Sequence, residues 1–384
     1  MALRADAILE DIDRGLRASR GSPRFIYVHE EVVREPEPGP RVEQVGLHEA
    51  LVERLKDSGI ERLYKFQYEA YKAITSGEDV FLASGAATGK TEAFILPVLD
   101  MAVKEGAKSI IIYPTKALAR DQLVRFRRYS IPFLLRMAVL DGDTPRHERE
   151  RIYSNPPDLL ITNPDMIHFS LPRSRRFRAL ASGAKVVVLD EAHVYEGSFG
   201  SHVRLVLERL RACSGHDVQF VASSATIGNP AELGELLFGR QVKVIEGVRR
   251  RRGKAYHVLV SAGVLGRWSV TARLLYLATR AGLRCLAFVD SQQMCEVVAR
   301  IARKQGAHVM VHRAGLLREE RHEVEDKLKS GELEGVVATP TLELGIDIGL
   351  LDAVIMASPP PSFARYLQRA GRAGRRGRPG YIFT

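Results

Sequence analysis

The sequence runs to 384 residues, room for two domains of roughly 150 residues and an extension. Hydrophobic residues at 45% and charged residues at 27% exclude a disordered chain, a collagen-like chain and a coiled-coil rod. Lys and Arg number 57 against 46 Asp and Glu, leaving +11, and only 13 of the bases are lysine; an arginine-rich excess favours phosphate-bearing partners. The three cysteines, Cys213, Cys285 and Cys295, form no CxxC pair, which argues against a disulfide framework or a four-ligand zinc site and agrees with a reducing interior. No apolar run reaches the roughly 18 residues that cross a bilayer, and the charged N-terminus MALRADAILEDIDRG lacks a signal-peptide core. A cytoplasmic protein with no membrane partner is expected.

Taken in chain order, residues 1–45 are read as a separate N-terminal extension, because Glu35-Pro36-Glu37-Pro38-Gly39-Pro40 is expected to form no regular structure. Short β-branched runs then recur at 79–84, 109–114, 137–141, 158–162, 185–190 and 218–223, separated by helical stretches. Strands that apolar need cover on both faces, which predicts a parallel, doubly wound sheet over 46–247 with its functional residues at the strands' carboxyl ends. The basic run Arg249-Arg250-Arg251-Arg252 between Gly247 and Gly253 is read as a linker over 248–255. A second strand series at 256–261, 284–290, 308–312, 335–339, 353–358 and 381–384 predicts a second sheet in 256–384. The fold class is therefore α/β: two tandem domains, each a doubly wound, mostly parallel sheet with helices on both faces.

Ser84-Gly85-Ala86-Ala87-Thr88-Gly89-Lys90-Thr91 follows a predicted strand and opens a helix, the setting of a phosphate-cradling loop. Backbone N–H groups and the helix N-terminus would hold the phosphates of ATP, Lys90 would reach the β/γ-phosphates and Thr91 would hold Mg²⁺. The pattern departs from GxxxxGK[ST] at Ser84. Asp190-Glu191-Ala192-His193 closes the strand at 185–190, where a second Mg²⁺ ligand, Asp190, and a water-orienting base, Glu191, belong. In the second domain, Gln368-Arg369-Ala370-Gly371-Arg372-Ala373-Gly374-Arg375 spaces guanidinium groups between glycines, a source of arginine fingers for the γ-phosphate.

From about residue 60 onward the sequence resembles the superfamily 2 helicases of the DEAD/DEAH-box type, with the motifs in order. Leu63-Tyr64-Lys65-Phe66-Gln67 resembles the Q motif, whose glutamine reads adenine. Pro114-Thr115-Lys116-Ala117-Leu118 and Thr162-Asn163-Pro164-Asp165 resemble motifs Ia and Ib, and Ser224-Ala225-Thr226 motif III. His312-Arg313-Ala314-Gly315 and Ala338-Thr339-Pro340-Thr341-Leu342-Glu343-Leu344-Gly345-Ile346-Asp347 resemble the second-domain motifs through V. The resemblance implies RecA-like domains and an ATP-dependent helicase or translocase. It implies nucleic-acid contacts at Thr115, Lys116, Thr162, Arg313 and Thr339, and coupling through His193, Ser224 and Thr226. Asp347 would meet the ribose, Arg372 and Arg375 the γ-phosphate, and Gln368 would partner the site. Gly89, Lys90 and Thr91 complete the nucleotide set.

The sequence Asp190-Glu191-Ala192-His193-Val194-Tyr195-Glu196-Gly197-Ser198-Phe199-Gly200-Ser201-His202 is most similar to the YprA-like branch of DNA repair helicases. That implies 3′ to 5′ movement on single-stranded DNA. The alternatives are an RNA helicase or remodeller of the Ski2-like or Lhr-like branches and a non-hydrolysing core that clamps nucleic acid. Two departures stand out. Ala87 occupies a loop position that is glycine in most members, costing about 1 to 2 kcal/mol if the loop needs φ > 0 there. Members of the YprA-like branch also continue past the last motif into a cysteine-ligated metal region, so the second domain is expected to be truncated, or completed by a partner subunit, with no metal besides Mg²⁺ here.

Overall fold

The computed structural model describes residues 2–31, 36–85, 88–129, 135–225, 227–248, 254–342, 351–374 and 379–384. The chain divides into two compact units, Pro36–Arg249, and Met1–Glu35 together with Arg250–Thr384. The N-terminal segment therefore does not stand apart. In the helix Ala2–Arg17, Leu9, Ile12 and Leu16 form one apolar stripe and are buried among residues of the helix Arg267–Arg280. Strand β1 (Arg24–Glu31) follows, its Phe25 amide donating to Asp13 Oδ1 at 2.7 Å.

The proline-rich segment also departs from expectation. Strand β2 (Pro38–Arg41) pairs antiparallel with β3 (Arg62–Tyr64). Proline lacks an N–H but still offers its carbonyl, so a two-stranded edge ribbon accommodates it. A Cβ on Gly39 would lie 2.8 Å from the Leu63 carbonyl oxygen, so the two backbones approach as only glycine allows.

The remaining strands of the first unit are β4 (Val80–Ala83), β5 (Lys108–Ile112), β6 (Met137–Val139), β7 (Leu159–Thr162), β8 (Ala184–Leu189), β9 (Gln219–Ser224) and β10 (Lys243–Glu246). They form one parallel sheet in the order β10-β4-β9-β8-β5-β7-β6. Alternation along each strand feeds two cores: Val80, Leu82, Ile111, Val186 and Val188 point to one, Phe81, Ile110, Ile112, Val187 and Leu189 to the other.

The second unit contains β11 (Ala255–Ser261), β12 (Cys285–Phe288), β13 (Val309–His312), β14 (Gly335–Ala338), β15 (Ala353–Met356) and β16 (Gly380–Phe383). Its sheet order is β1-β11-β16-β15-β12-β14-β13, parallel except for β1, which lies antiparallel along β11. All twelve strands expected from apolar runs are present, and both units are RecA-like α/β domains. Among the described residues no helix is long and apolar enough to cross a membrane.

Candidate nucleotide site

Three neighbouring strands, β4, β9 and β8, bring the chemistry together. β4 is buried throughout and leads into the phosphate loop; Ala86 and Ala87 lie outside the described residues. Gly89 has φ +93°, and a Cβ there would sit 2.5 Å from Gln67 Nε2, so glycine is required by conformation and by space. Lys90 and Thr91 then occupy the first two positions of the helix Lys90–Glu105, where free N–H groups and the helix dipole favour an anion.

Gln67, 5% exposed, is held at both ends: its Nε2 donates to the Gly89 carbonyl at 2.9 Å and its Oε1 accepts from the Tyr64 amide at 2.8 Å. Glu92, in the first turn of the same helix, accepts from Arg125 Nη2 at 2.8 Å and Tyr129 Oη at 3.0 Å. Burial pushes the Glu92 carboxyl up, but Arg125 and Tyr129 outweigh it and hold it below the ordinary value. The sequence pattern gave no sign of this clamp, which joins the helix Lys90–Glu105 to the helix Lys116–Phe126 and the turn after it.

At the end of β8, Asp190 is 7% exposed and its Oδ1 accepts from the Glu191 amide at 2.9 Å. Burial raises its pKa, the Glu191 carboxylate raises it further, and the Lys90 ammonium pulls the other way. The electrostatics thus join Lys90 to the carboxylate pair across the strand ends. Tyr113, wholly buried at the end of β5, has its phenol pushed up by burial and by Asp190. Glu191 itself has φ +53°, the left-handed region where a side chain costs energy.

His193 follows. Its Nδ1 lies 3.3 Å from Ser224 Oγ, 3.4 Å from the Ala225 amide and 3.6 Å from Glu191 Oε2, so the expected coupling residues His193 and Ser224 meet; Thr226 lies outside the described residues. Oxygen donors from Thr91 and Asp190, beside Glu191 and a helix N-terminus, suit a hard divalent cation bound with a phosphate. Burial and the neighbouring Glu191 carboxylate raise the Asp190 pKa, and such a cation would balance the charge held there.

The residues expected to meet nucleic acid are placed as follows. Thr115 caps the helix Lys116–Phe126, accepting from the Leu118 amide at 3.3 Å, and Lys116 pairs with Asp143 at 2.7 Å. Thr162 is fully buried, and its hydroxyl donates to the Leu140 carbonyl at 2.7 Å. The hydroxyl satisfies a buried carbonyl between β6 and β7. Arg120, bonded to Asp141 at 2.8 and 2.9 Å, fastens the helix of motif Ia to the loop after β6. Of the basic stretch after Leu171, Arg176 pairs with Glu150 and Arg178 donates to the Leu171 and Pro172 carbonyls.

In the second unit, Arg313 pairs with Glu296 at 3.0 Å, and Thr339 at the end of β14 is buried. Gln368 is half-buried, and Arg372 is 6% exposed. Arg369, which sequence reasoning passed over, is 1% exposed, lies over the Phe288 ring and reaches Asp290 at 3.3 Å. Asp347 and Arg375 lie outside the described residues. Tyr195 is core, packed against Phe199.

Comparison with known proteins agrees with this geometry. The DEAD/DEAH box helicase family model matches residues 64–233 and that of the helicase conserved C-terminal domain matches 268–377. The Bacillus subtilis ATP-dependent helicase YprA is 34% identical over 378 residues, covering 93% of this chain and 50% of that protein. The Schizosaccharomyces pombe ATP-dependent helicase hrq1 is 33% identical, covering 86% and 34%. Among solved structures, the DUF1998 helicase MrfA bound to DNA superposes with a TM-score of 0.85 at 31% identity, covering 97% of this chain and 52% of its own. The Mycobacterium smegmatis helicase Lhr bound to single-stranded DNA and AMP-PNP gives 0.74 at 28% identity, covering 88% and 47%. The chain spans about half the length, or less, of the relatives it matches.

A turn from β4 into the helix Lys90–Glu105, an Asp-Glu pair on the next strand but one and a second RecA-like unit define a protein of the tandem RecA-like class. With both family models matched in order, the chain belongs to the superfamily 2 helicases.

Proposed function

We propose that this chain is the ATP-hydrolysing core of a 3′ to 5′ DNA helicase acting in DNA repair. The observation that carries the reading is the convergence of Lys90, Thr91, Asp190, Glu191, His193 and Ser224 on the ends of β4, β9 and β8. The relatives support it, since MrfA and Lhr are both seen on DNA.

Gln67 and Asp347 would position the nucleoside, and Gly89 and Lys90 the phosphates. Thr91 and Asp190 would hold Mg²⁺, which supplies charge neutralisation at the β- and γ-phosphates. Glu191 would accept a proton from the attacking water at its carboxylate, and the role proposed for Arg372, Arg375 and Gln368 is to meet the charge that develops on the γ-phosphate. Single-stranded DNA would run past Thr115 and Lys116 on the first unit and Arg313 and Thr339 on the second, held through its phosphates. Affinity then falls steeply with salt and shows little sequence preference.

The test is steady-state ATP hydrolysis with Mg²⁺, alone and with single-stranded DNA or RNA of equal length, followed by unwinding of duplexes with 3′ or 5′ tails. Stimulation by DNA above RNA and use of the 3′ tail are expected. Stimulation by RNA alone would give the chain to the RNA-acting branches. Lys90→Ala should abolish turnover and leave DNA binding within about threefold, and Arg375→Ala should keep ATP binding and lose turnover.

A further inference from the structure

Ser84, where the loop departs from the glycine of the common pattern, does more than begin the turn. Its Oγ lies 2.7 Å from Thr88 Oγ1 and 3.1 Å from the Val248 carbonyl oxygen, while Thr88 Oγ1 lies 2.8 Å from the Gly85 carbonyl oxygen. Each hydroxyl has one proton, so two protons serve three contacts. If Ser84 donated to Val248 and Thr88 to Gly85, two oxygens 2.7 Å apart would face each other with lone pairs alone. The two favourable arrangements are Ser84 to Thr88 to Gly85, which closes the loop on itself, and Thr88 to Ser84 to Val248, which ties the loop to residue 248.

Ser84 is 1% exposed and Thr88 0%, so water has little access to either hydroxyl. Two backbone bonds keep Val248 in reach in either arrangement: Gly85 N–H to Val248 C=O at 2.9 Å and Gly247 N–H to Ala83 C=O at 2.8 Å. Gly247 has to be glycine, since a Cβ there would come within 2.3 Å of Ser84 Oγ. Val248 is next to the point where the chain passes from one unit to the other, between Arg249 and Arg250.

We propose that Ser84 is a positioning residue whose hydroxyl, switching between Thr88 and Val248, reports the state of the phosphate loop to the segment that leads into the second unit. This rests on the reading that phosphates bind at Gly89-Lys90-Thr91. A phosphate bound at Gly89-Lys90-Thr91, next to Thr88, changes which arrangement is favoured, and with it the tie on Val248.

The experiment measures the affinity of the full chain for a fluorescent single-stranded DNA with Mg²⁺·ADP and with a Mg²⁺-bound, non-hydrolysable ATP analogue. In the unaltered protein the two affinities should differ by about tenfold, an ordinary coupling between sites. In Ser84→Ala the ratio, measured with each nucleotide at saturation so that a change in nucleotide Kd does not enter it, should fall below about twofold. A residue that only supports the loop would weaken nucleotide binding or lower Tm and leave the ratio intact; an unchanged ratio overturns the proposal. If the unaltered protein shows no difference, the ATP-driven reading fails and takes the relay with it, an outcome distinct from a coupled protein with an equally coupled variant. Should Ser84→Ala not fold, amide exchange in the unaltered protein decides: Gly85 and Gly247 should exchange at different rates with the two nucleotides, and equal rates overturn the relay.

Discussion

The side-chain amide of Gln67 donates to the Gly89 carbonyl across 2.9 Å, so the residue expected to recognise the base also fixes the turn that presents Lys90. The two tasks are separable by substitution. Gln67→Glu keeps an acceptor for the Tyr64 amide but sets a carboxylate against the Gly89 carbonyl. Losing a buried donor costs about 1 to 3 kcal/mol. Nucleotide affinity should therefore fall about tenfold or more, and it should fall for ADP, ATP and a base-modified nucleotide alike. Calorimetric titration with the three checks this, and a loss confined to adenine nucleotides would show that the contact to Gly89 contributes nothing.

Twelve strands were legible because a parallel sheet buried on both faces demands runs such as Lys185-Val186-Val187-Val188-Leu189. β1 was not, being an edge strand exposed along most of its length whose partner β11 begins over two hundred residues later. The phosphate loop and the Asp190-Glu191 pair carry their chemistry in local order, so Gly89-Lys90-Thr91 and Asp190-Glu191 in their strand-end context were enough to propose them. The Ser84 to Val248 contact spans 164 residues, and no local pattern encodes it. The bond from the Thr162 hydroxyl to the Leu140 carbonyl is likewise tertiary, joining residues 22 apart in the chain, and the motif around Thr162 carries no sign of it.

Glu191 holds φ +53° with no glycine to make it easy. Glu191→Ala and Glu191→Gly both remove the carboxylate and both should abolish hydrolysis. Only the alanine variant still places a Cβ in the left-handed region, at a cost of roughly 1 kcal/mol. The glycine variant should therefore be the more stable of the two by about that amount, although glycine ordinarily lowers stability relative to alanine. Urea unfolding of the pair gives the difference directly, and the reverse order would remove the strain from the account of this site.

Asp190 makes a pH prediction of unusual sign. Burial and Glu191 raise its pKa above the ordinary 3.8, so its ionised form opposes folding: the penalty is absent below 3.8 and grows as pH rises through the raised value. Asp190→Asn, measured without nucleotide or Mg²⁺, should melt at a higher temperature than the unaltered protein at neutral pH, with the gap closing on acidification. Adding Mg²⁺·ADP should stabilise the unaltered protein and not the variant. A variant that melts lower at neutral pH would place the carboxylate in a supporting role.

Glu92 supplies the opposite case at the same loop. Burial raises its pKa, but the Arg125 guanidinium and the Tyr129 hydroxyl outweigh burial and hold it below the ordinary 4.5. Its contribution is fully present above 4.5 and is lost as pH falls through the lowered value. Removing one partner of a fully buried pair costs about 3 to 5 kcal/mol. The Arg125 side chain remains 39% exposed, so solvent screening reduces this to about 1 to 2 kcal/mol. Glu92→Gln should therefore melt lower at neutral pH and converge with the unaltered protein in acid, while Asp190→Asn starts higher and converges from above. Each carboxylate is buried at the start or end of an element; Arg125 and Tyr129 set the sign at Glu92, and burial with Glu191 sets it at Asp190. Thermal melts of both variants from pH 4 to 8 test the pair together; shifts of the same sign would mean that Arg125 does not compensate Glu92.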